Sequence, residues 1–572
     1  MSGISVGRAP AGRAAVTYDA IVVGSGITGG WAAKELAEKG LRTLVLEAGR
    51  DIVPERDYVE HVAPWEQHFR GRGDRKRLER EQPIQKDCYA CDEMGSRFFV
   101  NDLDHPYTQA PGTDFKFIRG RQVGGRSIMW GRQVYRWSDL DFEANARDGH
   151  GVDWPIRYAD LAPWYSYVER FIGVTGLAEG LSQLPDGEFM PAMPFMPPEQ
   201  KFRDTLASQF AGERMMTIGR AAVLTRNHNG RAACHYCGPC ERGCITRSYF
   251  SSLNATLPVA AKSKRMTLRP NSVVESVIWD PKTKRASGVR VIDGVTREAI
   301  EYRAKIVFLC ASTLESARIM LNSTSPDFPS GIANSSGELG CNLMDHTMGG
   351  RAGGTMEGWE DCAPFGSRPN GIYVPRFRNV KAAHPGFIRG YGMQGGSWRS
   401  RVNADDTPGF GATYKEALKG YGPWQMGLGG WGECLPRHAN RVTIDPDKRD
   451  VFGIPAMRID CSWGENDIKL VKDASQCAAE MLEAAGAKNI LTEDTPTPMG
   501  LCIHEMGTAR MGRDPKTSVL NKWNQAHDVP NLFVTDGSCM ASSACQNPSI
   551  TYMALTARAC DFAVKELNRR TL

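Results

Sequence analysis

The sequence predicts an α/β protein that opens on a Rossmann-like dinucleotide-binding unit, and three observations predict it. Residues 18–50, "YDAIVVGSGITGGWAAKELAEKGLRTLVLEAGR", read as strand, turn, helix, strand. "DAIVVG" is an apolar, β-branched run of the kind a parallel strand buried on both faces requires. Gly24, Gly26 and Gly29 form G-x-G-x-x-G between strand and helix. Gly24 permits the tight turn, Gly26 lets the backbone approach a pyrophosphate, and Gly29 lets the helix pack on the strand. The helix N-terminus then presents its positive dipole end to the phosphates. The second strand, "RTLVLE", ends on Glu47, where a carboxylate suits a ribose diol. A lone G-x-G-x-x-G says little; its place between strand and helix, with an acid after the next strand, makes it specific. It does not choose between FAD and NAD.

Bulk properties set the frame. The chain has 572 residues, 41% hydrophobic and 24% charged, with a net charge of +5. Such a chain holds two to four domains, or one large body with insertions, and needs no disulfide staples. The basic run "RGRGDRKRLER" (70–80) reads as a solvated loop, and no nucleic-acid-binding motif accompanies it. Apolar runs such as "AKIVFLCA" (304–311) are far too short to span a bilayer. The first 17 residues have no apolar signal core and read as a flexible arm, so no export signal of the chain's own is expected.

Further motifs decide the cofactor. They are a second glycine-rich segment, "GRQVGGRSIMWGRQVYR" (120–136), a strand running into a helix, "AKIVFLCASTLESARIMLNS" (304–323), and "NSSGELGCNLMDH" (334–346). "CIHEMGTARMG" (502–512), "NLFVTDGSCM" (531–540) and "CQNPSITYMALTARACDFA" (545–563) follow. In this order, over nearly the full length, they resemble the glucose–methanol–choline (GMC) family of FAD oxidoreductases, with an ending closer to the pyranose 2-oxidase branch than to the glucose oxidase branch. The resemblance implies a discontinuous FAD-binding domain (18–60, 110–140, 245–345 and 495–572). It implies an inserted α+β substrate-binding domain with an antiparallel sheet and lid segments (61–109, 141–233 and 346–494). It places Gly24, Gly26, Gly29 and Glu47 on the ADP half of FAD, and Gly124, Gly125 and Ser127 along the pyrophosphate and flavin. Val274 falls where family members meet adenine through the backbone, and Asp536 and Gly537 form the "DGS" turn beside the ribityl chain. Pyranose 2-oxidase has a flavin-linking histidine in the second glycine-rich segment. Met129 stands at the matching position here, and a thioether cannot make that bond, so FAD is expected to be held non-covalently.

Alcohol oxidation by a flavin needs a base for the hydroxyl proton and a C–H aimed at the flavin. Histidine suits the first task because its pKa lies near neutrality. His504, in "CIHEMGTARMG", matches the family's catalytic histidine, and Asn547, in "CQNPSI", matches its partner. An asparagine can both accept from and donate to the reacting oxygen. His105, His235, His346 and His527 have no motif support, and His346 is expected near the surface with no role.

Sixteen cysteines is a high count, and four of them lie in "CHYCGPCERGC" (234–244). Cys234, Cys237, Cys240 and Cys244 have C-x2-C-x2-C-x3-C spacing, which admits three readings. Adjacent C-x-x-C pairs strain as disulfides and a chain without a signal peptide folds in a reducing place. Structural zinc usually joins two knuckles separated by a longer stretch. The spacing is that of the bacterial ferredoxin run, although isoleucine rather than proline follows the last cysteine. An iron–sulfur cluster, [3Fe–4S] or [4Fe–4S], is the favoured reading, with Gly238 and Gly243 letting the backbone wind around sulfur. The resemblance then narrows to bacterial sugar and glucoside 3-dehydrogenase large subunits, which carry such a cluster and work with a small subunit and often a c-type cytochrome. "CYAC" (Cys88, Cys91) reads as two packed thiols, as a redox-active pair or as a cover for the cluster.

The expected substrate is a sugar or glycoside, oxidised at C3 in the narrowest reading. Trp398, Trp424 and Trp431 are candidates for a wall against its C–H faces, or equally for core. Two other readings stay open: an oxidase that uses O2 and keeps the cysteine loop for zinc or packing, and an NAD-binding or structural flavoprotein without catalysis. The expected location is the cytoplasm, or the periplasm by co-export with a signal-bearing small subunit.

Overall fold

The computed structural model describes residues 17–572 apart from 60–61, 64–65, 68–72, 211 and 403–406. Its first sheet runs in the order Met266–Arg269, Thr43–Leu46, Thr17–Val23, Ala299–Leu309, Arg285–Asp293, Ser272–Asp280, with Leu532–Val534 also paired to Ala299–Leu309. The strand Thr17–Val23 lies parallel to both of its neighbours, and Leu532–Val534 is parallel to Ala299–Leu309. Alternate residues feed two cores. Ile21, Val23, Leu44, Leu46, Val307 and Leu309 enter one, while Ala20, Val22, Val45, Ile306 and Phe308 enter the other. Burial on both faces is why these strands read as unbroken apolar runs.

The second sheet is antiparallel throughout, in the order Lys488–Glu493, Arg351–Met356, Trp424–Gly432, Tyr391–Trp398, Ile372–Val374, Thr217–Ile218. The helix Glu465–Ala484 covers one of its faces through Leu470, Ala474, Cys477 and Met481, which join Met393, Met426 and Leu428 in a single core. This is the α/β architecture with a separate antiparallel sheet that the sequence predicted.

Two local expectations need correction or fall outside the described residues. Of the basic run, 70–72 lies outside the described residues and 75–80 is not a loop: Arg75–Glu81 is a helix with no buried residue, capped by Asp74, whose carboxylate accepts from the Arg77 N–H at 3.1 Å. Of the expected N-terminal arm, 1–16 lies outside the described residues, and Thr17 already belongs to a strand. Among the described residues, no helix is long and apolar enough to cross a membrane.

Candidate functional site

A cavity of ≈ 420 Å³ opens where the C-terminal ends of the parallel strands meet the second sheet, and it collects most of the residues singled out in the sequence. Gly24, Gly26, Glu47, Gly125, Ser127, Met129, Val274, Asp536, Gly537, His504 and Asn547 all line it. Gly29 and Gly124 stand behind the wall and shape it. Gly24 has φ +93°, and a Cβ at Gly29 would lie 2.0 Å from the Gly24 carbonyl oxygen, so turn and helix can only meet as glycines. At Gly26 a Cβ would meet nothing nearer than the Gly125 Cα at 4.0 Å. The space beside the helix N-terminus is free of protein, as a bound pyrophosphate requires.

The second glycine segment is tied to the first. Gly124 N–H donates to Ser25 Oγ at 3.0 Å, and Ser25 Oγ donates to Glu47 Oε2 at 2.6 Å. Ser127 Oγ donates to the Gly124 carbonyl at 2.5 Å. Burial pushes the Glu47 carboxyl up, opposed by hydrogen bonds from Ser25 and the Gly49 N–H. Gly537 is packed so closely that a Cβ would lie 2.4 Å from the Glu505 carbonyl oxygen. Asp536 caps that turn by accepting from Ser538 N–H at 3.1 Å and from Ser316 Oγ at 2.5 Å. Tyr552 Oη lines the cavity, buried, with no hydrogen-bond partner among the described residues. Glycines bared toward open space, a ribose-ready acid and an orphaned buried hydroxyl fit a dinucleotide.

At the other end of the cavity the hydrogen bonds assign a tautomer. His346 Nε2 lies 3.0 Å from the Ser543 carbonyl, which only accepts, so this nitrogen carries the proton. Nδ1 of a neutral His346 is therefore an acceptor, and it faces His504 Nδ1 at 3.0 Å. His504 must donate from Nδ1, which leaves Nε2 with a free lone pair. Asn547 Nδ2 lies 3.4 Å from that lone pair. Gln394 Nε2 donates to Asn547 Oδ1 at 2.7 Å and so fixes which way the amide points. Burial drives the His504 pKa well below the usual value, helped by His346 and Arg126, and burial takes His346 down to about 4. Asp345 anchors the pair through one oxygen, Oδ1, accepting from the backbone N–H groups of His346 at 2.9 Å and His504 at 3.1 Å. The arrangement is a neutral imidazole with one unprotonated nitrogen beside a clamped amide.

His346 was expected near the surface. It is fully buried and touches His504, because the "NLMDH" segment pairs with the 502–512 motif through an antiparallel bridge between Met344 and Met506. Gln394 was missed as well, since it lies 153 residues from its partner. Trp431 lines the cavity and Trp398 is half-exposed, but Trp424 is core, 1% exposed, with its indole N–H on the Trp359 carbonyl.

The cysteine loop lies against the wall of this cavity. Arg132 lines the cavity and pairs with Glu241 of the loop at 3.4 Å. Arg242 pairs with Asp92 at 2.7 Å, which ties the loop to the Cys88–Cys91 segment. Cys88 and Cys91 are buried, as packed thiols are, and Cys88 also lines the cavity. Gly238 and Gly243 both have positive φ, +102° and +99°, and a Cβ at Gly243 would strike the Tyr58 ring at 2.3 Å. Cys234, Cys237, Cys240 and Cys244 surround one small pocket, and none of the sixteen cysteines forms a disulfide. Burial pushes Cys240 up to about 12. Among the described residues the only three ligand atoms within 4.8 Å of one another are those of His346, Cys502 and His504. No three loop sulfurs converge that closely, whereas tetrahedral zinc with bonds of about 2.3 Å sets its sulfurs about 3.8 Å apart.

The family model for the N-terminal part of the GMC oxidoreductases matches residues 18–348, and that for the C-terminal part matches 436–556. The chain belongs to the GMC oxidoreductase family. Its members bind FAD, and the cofactor of this GMC oxidoreductase is therefore FAD, not NAD. It is 30% identical to 2-methyl-1,2-propanediol dehydrogenase of Mycolicibacterium austroafricanum, over 95% of this chain and 94% of the relative. It is 26% identical to the fructose dehydrogenase large subunit of Gluconobacter japonicus, over 97% and 99% of the two chains. Its fold is similar to that of pyridoxine 4-oxidase from Mesorbium loti, with a TM-score of 0.59, 17% identity, and 95% and 98% of the two chains covered. The GMC oxidoreductase is thus an enzyme acting on alcohol or sugar hydroxyls.

Proposed function

We propose that this enzyme is an FAD-dependent dehydrogenase that oxidises a secondary hydroxyl of a sugar or glycoside, at C3 of a pyranoside in the narrowest form. The observation that carries the reading is the unprotonated His504 Nε2, held beside Asn547 in the cavity that also contains the dinucleotide cradle. His504 Nε2 takes the hydroxyl proton, while the Asn547 amide holds the same oxygen and sets the direction of the adjacent C–H. His346 keeps the accepting nitrogen free by receiving the Nδ1 proton of His504. Gly24, Gly26, Gly29, Glu47, Gly124, Gly125, Ser127, Val274, Asp536 and Gly537 would hold FAD, without a covalent bond because Met129 stands where a linking histidine would be needed. When bound, FAD supplies the hydride acceptor.

We read the loop of Cys234, Cys237, Cys240 and Cys244 as the ligand set of an iron–sulfur cluster, which when bound supplies one-electron storage on the way to an external acceptor such as a c-type cytochrome. Its contact with Arg132 in the cavity wall supports this placement. The fructose dehydrogenase relative is named as a large subunit, which supports a small-subunit partner and leaves co-export beside it as the second location after the cytoplasm.

Rapid mixing of the FAD-loaded protein with a pyranoside tests the reading. Sugar should reduce the flavin, and His504→Ala should slow that reduction by about 10²–10⁴-fold with FAD content unchanged. Unaltered reduction would remove His504 from the role. Magnetic resonance of the product identifies the keto carbon. Turnover with O2 as fast as with any cytochrome or dye would favour an oxidase instead.

A further inference from the structure

The two faces of the six-stranded sheet differ in kind. Trp424, Met426 and Leu428 point into the core under the helix Glu465–Ala484, and the residues between them, Gln425, Gly427, Gly429 and Trp431, lie on the opposite face. Cross-strand register extends that face in rows. Arg351, Gly429 and Gln394 stand abreast, and so do Gly353, Gly427 and Gly396. The second row has no side chains at all. A Cβ at Gly353 would meet nothing nearer than the Met426 carbonyl oxygen at 3.5 Å. Glycine weakens a strand interior and marks close approach by a ligand or another backbone. Three abreast in the middle of a sheet make a floor that has no side chains of its own and is open at Gly353.

Two indoles stand over the central strand of that floor. The Trp398 ring is 50% exposed and lies 3.2 Å from where a Gly427 Cβ would be. The Trp431 ring lies 3.5 Å from the corresponding point at Gly429. Floor and indoles enclose a second cavity of ≈ 870 Å³. It adjoins the first: Gln394 and Trp431 line both, and Gln394 is hydrogen-bonded to Asn547. The Arg351–Glu493 ion pair borders it.

We propose that this trough is a second binding subsite, which takes a second ring joined through a glycosidic oxygen to the ring whose hydroxyl meets His504. The proposal rests on the sugar-oxidising reading above. A side-chain-free floor lets a flat ring lie against the backbone, and indoles pack against the C–H faces of such rings. A monosaccharide at His504 leaves the trough unused, so the matched substrate has two rings.

The test compares methyl β-glucoside with cellobiose and phenyl β-glucoside on the FAD-loaded enzyme. The two-ring compounds should have at least tenfold higher kcat/KM, mostly through KM. Gly353→Leu puts its side chain into open space in the trough and should bring that ratio close to one, and Trp398→Ala should lower it severalfold. A wild-type ratio of one, or a ratio unmoved by Gly353→Leu, overturns the subsite. Calorimetry on the His504→Ala holoenzyme separates binding from chemistry. Cellobiose binding tenfold tighter than methyl β-glucoside, and weakened in His504→Ala/Gly353→Leu, sustains the trough even if neither sugar reduces the wild-type flavin, a result that would overturn the sugar-oxidising reading alone. Equal binding of the two sugars overturns the trough.

Discussion

His346 shows how a residue with no contact to substrate can decide whether a base works. Its Nε2–H is committed to Ser543 and its Nδ1 to His504. Replacing it with phenylalanine keeps the bulk and deletes the acceptor, which releases His504 to the other tautomer. His346→Phe should lower the rate of flavin reduction about 10- to 100-fold, within the range that general-base effects span. His346→Gln, with an amide oxygen to accept the proton, should recover most of it. A purely structural role would give two equally damaged variants. The pH profile follows from the same burial. A base works only when neutral, and burial lowers the His504 pKa, so its protonation begins further into acid than for a free imidazole, whose pKa is about 6.5. The kcat/KM for reduction should hold its plateau below pH 6.5 and fall only at more acidic values. A half-maximal point at 6.5 would contradict the buried pair. His504 and Asn547 were legible because each carries a local motif. His346 was quoted within "NLMDH" yet unreadable, since its meaning is a contact across 158 residues.

At the scale of elements, the opening strand, turn and helix were fully legible. Their determinants are local: an apolar run, three glycines at fixed spacing and an acid one strand later. The second sheet was expected only from the family resemblance, and its strands were not legible locally. Its central strands, "YGMQGGSW" and "WQMGLGGWG", are rich in glycine, which is depleted in strands, and only the cross-strand rows explain the choice. The helix at 75–81 was misread because seven mostly charged residues have no apolar stripe; a cap and solvent suffice for it. The cysteine loop is the element whose prediction matters most. Cys240→Ser should leave sugar-dependent flavin reduction within about threefold and should lose both iron and transfer to a cytochrome or its dye substitute. Iron and sulfide analysis beside the two rates checks this. Iron-free protein with full acceptor turnover would return the loop to packing.

The molecule as a whole is organised around a cavity that spans two sheets. Its walls come from residues as far apart as Gly24 and Tyr552, so FAD should act as a strut as well as a reagent. A ligand that binds only the folded state adds about 4 kcal/mol at a concentration a thousandfold above Kd. Removing FAD should therefore lower Tm by several degrees and adding it back should restore the value, as read by differential scanning fluorimetry. An unchanged Tm would place the cofactor outside this cavity.

The pairing of Leu532–Val534 with Ala299–Leu309 has a consequence for how the enzyme is made. An inner edge of the first sheet waits for a segment translated more than two hundred residues after its neighbour, and both members of the His504–Asn547 pair arrive with that late stretch. A nascent chain halted before residue 530 would display the glycine turn but could not close around a nucleotide. Closure around the nucleotide thus waits for the synthesis of Leu532–Val534, which acts as its latch.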